Sequence, residues 1–380
     1  MTAIAPELTQ FSATDACPYV WTWQGHRICY QHSGNAGPAV VLIHGFGASW
    51  RHWRKNIPFL AQHCRVFALD LIGFGGSAKP TPDREIRYTF ETWGQLVADF
   101  CREVVGEAAF LVGNSIGCVV AMQAAVDHPE LARAVVLLNC SLRLLHDRRR
   151  AELPWFKRVG SGYLQKILGW PWLGRTFFQQ IAQPATVRKI LCQAYRDTSA
   201  VTDELVEILM EPARDPGAAD VFLAFTRYSQ GPLPEDLLPK LPCPAMILWG
   251  AADPWEPIER GLAFEQYPAV ERFVNLEGVG HCPQDEAPKQ VNYLLRDWIL
   301  WKAAAKQQHS PLSIGDWVEI AVVRPDGDPI WNGLRGQVAQ AGDRAVTVRV
   351  EQGQGIRHFY REDVRAIEPP TDLEWEKDGE

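Results

Sequence analysis

Short apolar runs that alternate with helix-like stretches are the feature that most constrains the fold of this chain. The runs span residues 39–43, 66–70, 109–112, 134–138, 245–249 and 270–276. Near-continuous apolar runs of this length are typical of parallel strands that helices cover on both faces. Because such crossovers are right-handed, the loops after the strands gather at one edge of the sheet, where ligands bind. We therefore predict a mostly parallel sheet flanked by helices, with a functional site at that edge.

Further segments divide the chain around this sheet. Residues 20–23 and 27–31 flank a glycine-containing turn and predict an antiparallel hairpin. Residues 141–240 are rich in leucine, tryptophan and arginine and contain no convincing strand, which predicts an inserted helical lid. A last helix is expected to close the domain near residue 306. These predictions define an N-terminal extension at 1–18 and a catalytic domain at 19–306.

The C-terminal quarter of the chain has a different pattern. Alternating apolar and polar residues recur between 313 and 368, in segments divided by turns that contain glycine and aspartate. This pattern predicts a small β-barrel that resembles an SH3-like module, joined through a linker at 307–312. Residues 369–380 are expected to form a loose tail.

Composition excludes several classes of protein. The chain has 47% apolar and 22% charged residues, which is typical of a globular protein with a large core. Its net charge of −7 gives no electrostatic reason to bind nucleic acid. The nine cysteines form no Cys-x-x-Cys pair and are expected to be buried thiols in a reducing compartment. With no basic start before an apolar run and no long apolar stretch, the protein is predicted to be cytoplasmic.

A G-x-S-x-G pattern at residues 113–117 predicts a nucleophile. It lies between the apolar run 109–112 and a helix-like stretch, and this context favours a tight strand-to-helix turn that exposes the hydroxyl of Ser115. Glycines two positions away on each side avoid collisions that larger side chains would cause. Taken alone, the pentapeptide fits a glycine turn with a helix-capping serine equally well.

A second loop at the same sheet edge supports the nucleophile. Residues 44–47, His-Gly-Phe-Gly, directly follow the run 39–43. We predict that the N–H groups of Phe46 and Ile116 bind the oxyanion that forms when Ser115 attacks a carbonyl. The alternative is that the glycines of this loop only permit a turn, and that His44 makes a structural hydrogen bond.

The predicted acid and base follow the last two apolar runs. Asp253 comes directly after 245–249, and His281 follows 270–276 behind two glycines that let the chain turn back over the strand ends. Glu256 is the second candidate for the acid. The position after 134–138 is set aside because it offers only Asn139 and Cys140. A structural histidine remains the alternative reading of His281.

These residues define a mechanism. Neutral His281 accepts the proton of Ser115 as the hydroxyl attacks a carbonyl carbon, and Asp253 orients the imidazole. An acyl-serine forms and is hydrolysed. Neither a P-loop nor a two-histidine metal motif is present, so no metal or organic cofactor is expected. We also expect four residues to contact the substrate: Trp50, Asn114, Trp155 and Trp255.

Residues from about 19 to 302 resemble the α/β-hydrolases, with the closest likeness to the chlorophyll dephytylase and pheophytinase group of plants and cyanobacteria. The matching segments are 44–49, 53–54, 70–75, 113–117, 253–257 and 280–283. The resemblance implies hydrolysis of a carboxylic ester, with the phytyl ester of a chlorophyll-type pigment as the expected substrate. Cys118 departs from the group, which has a second glycine there. Serine at 115, in place of aspartate, argues against the related epoxide hydrolases and dehalogenases.

The predicted lid combines basic and aromatic residues. Residues 141–178 contain eight Lys or Arg and two acidic residues, a local excess of +6. Basic residues among Trp, Phe and Leu suit an anionic membrane surface, so we expect peripheral contact with a membrane, such as the thylakoid. The alternative is a lid whose apolar face packs on the catalytic domain while its arginines are solvated.

Other activities use the same residues. Carbon–carbon bond hydrolases, general esterases and thioesterases share the serine, histidine and acid, so these residues do not select the substrate. A different class is a non-catalytic receptor or scaffold that acts through the SH3-like domain. A protein partner of that domain is expected but its identity is not predicted.

Overall fold

The computed structural model describes residues 17–144, 146–151 and 171–305, and beyond them residues 315, 317–320, 334–341, 345–350, 355–360 and 364–366. The predicted linker 307–312 and tail 369–380 lie outside these residues, as does most of the predicted extension 1–18. The chain divides into two compact units, 1–296 and 297–380. The dividing point falls inside the last helix, which the sequence prediction assigns wholly to the catalytic domain.

The first unit is built on an eight-stranded sheet with the order β1-β2-β4-β3-β5-β6-β7-β8. The strands are β1 Tyr19–Trp23, β2 His26–Ser33, β3 Ala39–Ile43, β4 Arg65–Leu69, β5 Ala109–Asn114, β6 Ala132–Leu138, β7 Ala245–Gly250 and β8 Val270–Leu276. The predicted hairpin is confirmed as β1 and β2, which pair antiparallel through a turn at Gln24 and Gly25. β2 pairs antiparallel with β4, and all pairs from β4 to β8 are parallel.

Burial on both faces explains the continuous apolar runs. Every residue of β3, β5 and β7 is buried, as parallel strands between two helical layers require. The helices of the main body are α1 Ile57–Leu60, α2 Phe90–Phe100 and α3 Ile116–Asp127, followed later by α10 Ile258–Gly261, α11 Pro283–Glu286 and α12 Pro288–Ala305. The first ten residues of α3 are all buried, so this helix is apolar all round and lies in the core.

The insertion between β6 and β7 contains helices and loops but no strand in its described part, 139–144, 146–151 and 171–244. Its α-helices are α4 Asp147–Ala151, α5 Pro171–Ile181, α6 Pro184–Ala194, α7 Asp203–Ala213, α8 Ala218–Arg227 and α9 Pro234–Leu237. Val221 and Phe225 of α8 pack on the core of the sheet domain. Residues of α6 and α7 form a second apolar cluster, which Cys282 joins from the loop before α11.

The second unit contains a small antiparallel sheet. Its strands are β9 Trp317–Ile320, β10 Arg335–Ala341, β11 Ala345–Val350, β12 Gly355–Tyr360 and β13 Val364–Ala366, in the order β12-β11-β10-β9-β13. Valines such as Val318 and Val348, together with Phe359, form its core. Within the described residues the outer strands β12 and β13 do not pair, so the structure shows a sheet and not a closed barrel. The SH3-like identity stays a prediction.

The cysteines correct one expectation. Cys17 and Cys29 form a disulfide, although all nine cysteines were expected to be thiols. The other seven are thiols, and all of these except Cys192 are buried. Among the helices that the structure describes, none combines the length and apolar character needed to cross a bilayer.

Candidate active site

Ser115 occupies a strained turn between β5 and α3. Its backbone has φ 56° and ψ −119°, a positive-φ conformation that costs a non-glycine residue free energy. The flanking glycines are required by contact: a methyl group on Gly113 would stand 2.4 Å from the backbone of Gly117, and one on Gly117 would stand 2.4 Å from the carbonyl oxygen of Ile43. The elbow therefore depends on backbone packing that no larger residue permits at 113 or 117.

The loop at 44–47 lies beside this turn because β3 and β5 are neighbours in the sheet. A methyl group on Gly45 would stand 3.3 Å from Cβ of Ser115, so the loop backbone approaches Ser115 directly. Ile116 is the first residue of α3, and its N–H therefore has no acceptor within the helix. This placement is compatible with an oxyanion site formed by the N–H groups of Phe46 and Ile116, which stays a prediction.

His44 has a structural role. Its side chain is fully buried, its Nδ1 lies 2.7 Å from the carbonyl oxygen of Gly45, and its Nε2 accepts a hydrogen bond from the N–H of Leu71 at 3.0 Å. Burial lowers the pKa of His44 to about 4, so the imidazole is neutral near pH 7. The neutral form with the proton on Nδ1 satisfies both contacts.

Asp253 and His281 form a buried hydrogen-bonded pair. Oδ2 of Asp253 lies 2.7 Å from Nδ1 of His281, and the side chains are 0% and 6% exposed. The two loops pack backbone to backbone, since a methyl group on Gly250 would stand 2.1 Å from the carbonyl oxygen of Gly280. Asp253 lies three residues after β7 and His281 five after β8, and they are the residues that the sequence predicts as acid and base.

The carboxylate of Asp253 accepts three more hydrogen bonds. The N–H groups of Trp255 and Glu256 donate to Oδ1 at 2.8 and 3.1 Å, and Nδ2 of Asn139 donates to Oδ2 at 2.7 Å. Burial alone would raise the pKa of Asp253, but the hydrogen bonds from His281, Asn139 and the backbone outweigh burial and hold this pKa below its ordinary value. Asp253 is therefore ionised at neutral pH.

Asn139 was missed by the sequence analysis, which used it only to set aside an acid after β6. Its Oδ1 accepts from the N–H of Gly250 at 3.0 Å while its Nδ2 holds Asp253, so one amide connects the ends of β6 and β7. Its φ of 44° is a left-handed conformation that asparagine tolerates better than most residues. A polar residue at the end of the strand beside β7 is the signal that could have indicated this role.

Glu256, the second candidate for the acid, does not hold the histidine. Nδ1 of His281 pairs with Asp253. Glu256 is 8% exposed, and its carboxyl group accepts hydrogen bonds from the N–H of Leu142 and the side chain of Ser141. Burial raises the pKa of Glu256 to about 7.

The four predicted substrate contacts have different environments. Asn114 is 1% exposed, and its amide donates to the carbonyl oxygens of Leu138 and His281, both at 3.2 Å. These bonds connect the elbow to the end of β6 and to the His281 loop, and a substrate contact by Asn114 stays a prediction. Trp50 is 9% exposed and lies at the start of a 3-10 helix, Trp50–Trp53. Trp255 is 39% exposed, with its ring 5.0 Å from the imidazole of His281. Trp155 lies outside the described residues.

Aromatic side chains of the insertion pack on Phe46, in the loop at 44–47. The ring of Phe46 stacks on Phe225 at 4.7 Å and lies 5.6 Å from both Phe222 and Phe74. Phe178 of α5 extends this aromatic cluster, 5.3 Å from Phe222. Helix α8 therefore presents an apolar surface beside the predicted oxyanion site.

The basic side chains of residues 141–178 that the structure describes are all engaged within the protein. Arg148, Arg149 and Arg175 form ion pairs with Asp236, Glu235 and Asp220, respectively. Arg143 donates instead to the backbone carbonyls of Pro232, Tyr228 and Gln230. The expected membrane contact therefore depends on the other four basic residues of 141–178, whose side chains lie outside the description.

Comparisons with known proteins agree with this architecture. A family model described as "Alpha/beta hydrolase family" matches residues 40–292. A chloroplastic pheophytinase of Arabidopsis thaliana is 26% identical over 78% of this chain and 70% of its own. A 2-hydroxymuconate semialdehyde hydrolase of Pseudomonas sp. strain CF600 is 26% identical over 72% of this chain and 91% of its own. A solved serine hydrolase involved in carbazole degradation superimposes with a TM-score of 0.59 at 20% identity, covering 74% of this chain and 97% of that one, which shows a shared fold.

Proposed function

Since the chain belongs to the alpha/beta hydrolase family, we propose that it is a serine hydrolase that cleaves a carboxylic ester through an acyl intermediate on Ser115. The observation that carries this proposal is the buried 2.7 Å hydrogen bond between His281 and Asp253 at the sheet edge that also bears the strained Ser115 turn. A histidine held in this way by an ionised acid is the usual base of such a nucleophile.

The proposed reaction has two halves. With Nδ1–H of His281 donated to Asp253, Nε2 is the unprotonated nitrogen and accepts the Ser115 proton as the oxygen attacks the ester carbonyl. The N–H groups of Phe46 and Ile116 would stabilise the oxyanion, each by about 3 kcal/mol. His281 then protonates the departing alkoxide, and the acyl-serine remains. Water attacks the acyl group with His281 again as base, which releases the acid and restores Ser115.

An apolar alcohol group suits the surroundings of Ser115. The aromatic cluster of Phe46, Phe74, Phe222, Phe225 and Phe178 offers a surface for a long hydrocarbon chain. The similarity to a pheophytinase also supports an ester of an apolar alcohol. We therefore propose that the substrate is a lipophilic ester, with the phytyl ester of a chlorophyll-type pigment as the specific candidate.

The test is a direct comparison of substrates. Purified protein is offered chlorophyll a, pheophytin a and p-nitrophenyl esters of short and long acids, and released phytol or nitrophenol is measured. We expect phytol release from at least one pigment, and a loss of activity on the order of a million-fold in Ser115→Ala. Turnover of short esters alone would contradict the pigment assignment, while the proposal of a serine esterase would still stand.

Carbon–carbon bond hydrolysis is the second candidate. It is favoured by the similarity to a 2-hydroxymuconate semialdehyde hydrolase, which extends over 91% of that relative. The same serine and histidine serve such reactions, so the substrate panel includes a 2-hydroxy-6-oxo-dienoate. Its consumption at a higher kcat/KM than any ester would favour this candidate. A non-catalytic receptor would neither turn over a substrate nor react with a fluorophosphonate at Ser115.

A further inference from the structure

The loop that carries His281 is attached to the helical insertion through its backbone. The N–H of His281 donates to the carbonyl oxygen of Ala194, the last residue of α6, at 2.9 Å. A methyl group on Gly280 would stand 2.3 Å from the same oxygen. Glu286 adds a bridge, because its two carboxylate oxygens accept from the N–H groups of Gly280 at 2.9 Å and Asp197 at 2.8 Å. The backbone of the base is thus bonded to a helix of the insertion and not only to the sheet domain.

Apolar packing makes the same connection. Cys282, the residue after His281, is 6% exposed and belongs to the apolar cluster of α6 and α7. The other buried members of that cluster are Leu191, Ala194, Tyr195, Val201, Leu205, Val206 and Met210. A shift of α6 and α7 would therefore displace the segment next to the imidazole.

A buried polar network completes the attachment. The hydroxyl of Tyr195 donates to Oδ2 of Asp285 at 3.0 Å and lies 2.9 Å from Nε2 of His52. Asp285 is fully buried, and its other oxygen pairs with Arg54 at 2.8 Å and Lys55 at 3.0 Å. Because the hydroxyl hydrogen is used on Asp285, His52 serves as the donor to the oxygen of Tyr195. Burial keeps the imidazole of His52 neutral by lowering its pKa to about 4.

We propose that Tyr195 is a positioning residue for His281. Tyr195 directly follows α6, and its hydroxyl donates to Asp285 of α11, four residues after His281. This bond fixes the imidazole of His281 relative to Ser115 and Asp253. The inference rests on the function proposed above. It adds that His281 can act as the base only while the helices α6 and α7 of the insertion keep their position. Tyr195 itself does not touch the reacting atoms.

The test is Tyr195→Phe, which keeps the ring in its apolar cluster and removes one hydroxyl group. We expect kcat/KM for a short p-nitrophenyl ester to fall about tenfold, with the loss in kcat and little change in KM, because the base is displaced while binding is not. The low-field proton resonance of the Nδ1–H between His281 and Asp253 should shift or broaden. Both measurements are made well below the melting temperature of the least stable variant.

Tyr88→Phe is the matched control. Tyr88 is 4% exposed, and its hydroxyl donates to the carbonyl oxygen of Pro80 at 2.7 Å, so the substitution also removes a buried hydroxyl bond. We expect Tyr88→Phe to lower stability while leaving kcat and the resonance of His281 unchanged. If the two variants have equal kcat and equal resonances, the positioning role is refuted and the proposed hydrolase stands.

A second variant keeps the test decisive should Tyr195→Phe fail to fold. Glu286→Gln replaces one of the two carboxylate oxygens that accept hydrogen bonds from the N–H groups of Gly280 and Asp197. We expect it to lower kcat without raising KM. A native-like kcat in folded Glu286→Gln would overturn the coupling between the insertion and His281, on which the proposed role of Tyr195 depends. The native protein is assayed beside both variants with a fluorophosphonate probe, and an unlabelled, inactive native protein would refute the proposed function itself.

Discussion

Asn139→Ala should destabilise the first unit through a single side chain that sequence analysis does not identify as important. The substitution removes a 2.7 Å hydrogen bond to the carboxylate of Asp253 and a 3.0 Å bond from the N–H of Gly250. Losing the hydrogen bond to the ionised Asp253 costs about 1.5 kcal/mol, the lower end of the range for charged groups, because three other donors to this carboxylate remain. The N–H of Gly250 is left buried and unpaired, which costs about 2 kcal/mol. Alanine at φ 44° adds about 1 kcal/mol of backbone strain.

The free energy of unfolding should therefore fall by about 4.5 kcal/mol in Asn139→Ala, measured by guanidinium unfolding with tryptophan fluorescence. Asn139→Gly is the matched control, since it loses the same hydrogen bonds without the strain of a left-handed alanine. Because Asp253 keeps two backbone donors and His281, kcat should fall less than tenfold in folded protein. A loss of stability below about 1 kcal/mol in Asn139→Ala would refute the reasoning that this amide holds the two strand ends together.

Three further predictions concern separate parts of the site. Burial raises the pKa of Glu256 to about 7, so the free energy of unfolding should fall by about 3 kcal/mol as pH rises from about 4.5 to about 7, because only the unfolded chain ionises this group freely. Glu256→Gln should lack this fall in a pH series of unfolding experiments, and parallel curves for the two proteins would contradict the prediction. Trp255→Ala should raise KM about tenfold for long-chain esters and much less for acetate, because the exposed ring beside His281 contacts the chain; equal effects on both substrates would argue against a substrate contact. Gly117→Ala should abolish labelling of Ser115 by a fluorophosphonate, since the methyl group would stand 2.4 Å from the carbonyl oxygen of Ile43; normal labelling would show that the elbow tolerates a side chain there.

The strands were predictable because parallel strands that are buried on both faces appear in the sequence as continuous apolar runs. The predicted runs 39–43 and 270–276 coincide with β3 and β8, and 109–112 falls short of β5 by two residues, since Gly113 and Asn114 are not apolar. The positions of Asp253 and His281 followed from β7 and β8, because each residue lies on the loop after one of these strands. Their hydrogen bond required only that the two loops meet at one edge.

What the sequence could not reveal depends on contacts between distant segments. Asn139 holds Asp253 across 114 positions, and Tyr195 bonds Asp285 across 90, and no local pattern encodes either pair. The charge of the insertion shows the same limit: the window 141–178 counts an excess of +6, but the acids that pair with its arginines lie further along, from Asp220 to Asp236. The disulfide between Cys17 and Cys29 likewise depends on the path of the chain beside β2.

The most direct test of the central claim is to trap the acyl-enzyme. The protein is mixed rapidly with a p-nitrophenyl ester, quenched in acid and digested, and the acylated peptide is located by mass spectrometry. We predict one acyl group on Ser115, formed within the burst of nitrophenol release and absent in Ser115→Ala and in His281→Ala. Hydrolysis at the native rate in Ser115→Ala, or an acyl group on any other residue of a competent enzyme, would contradict the account.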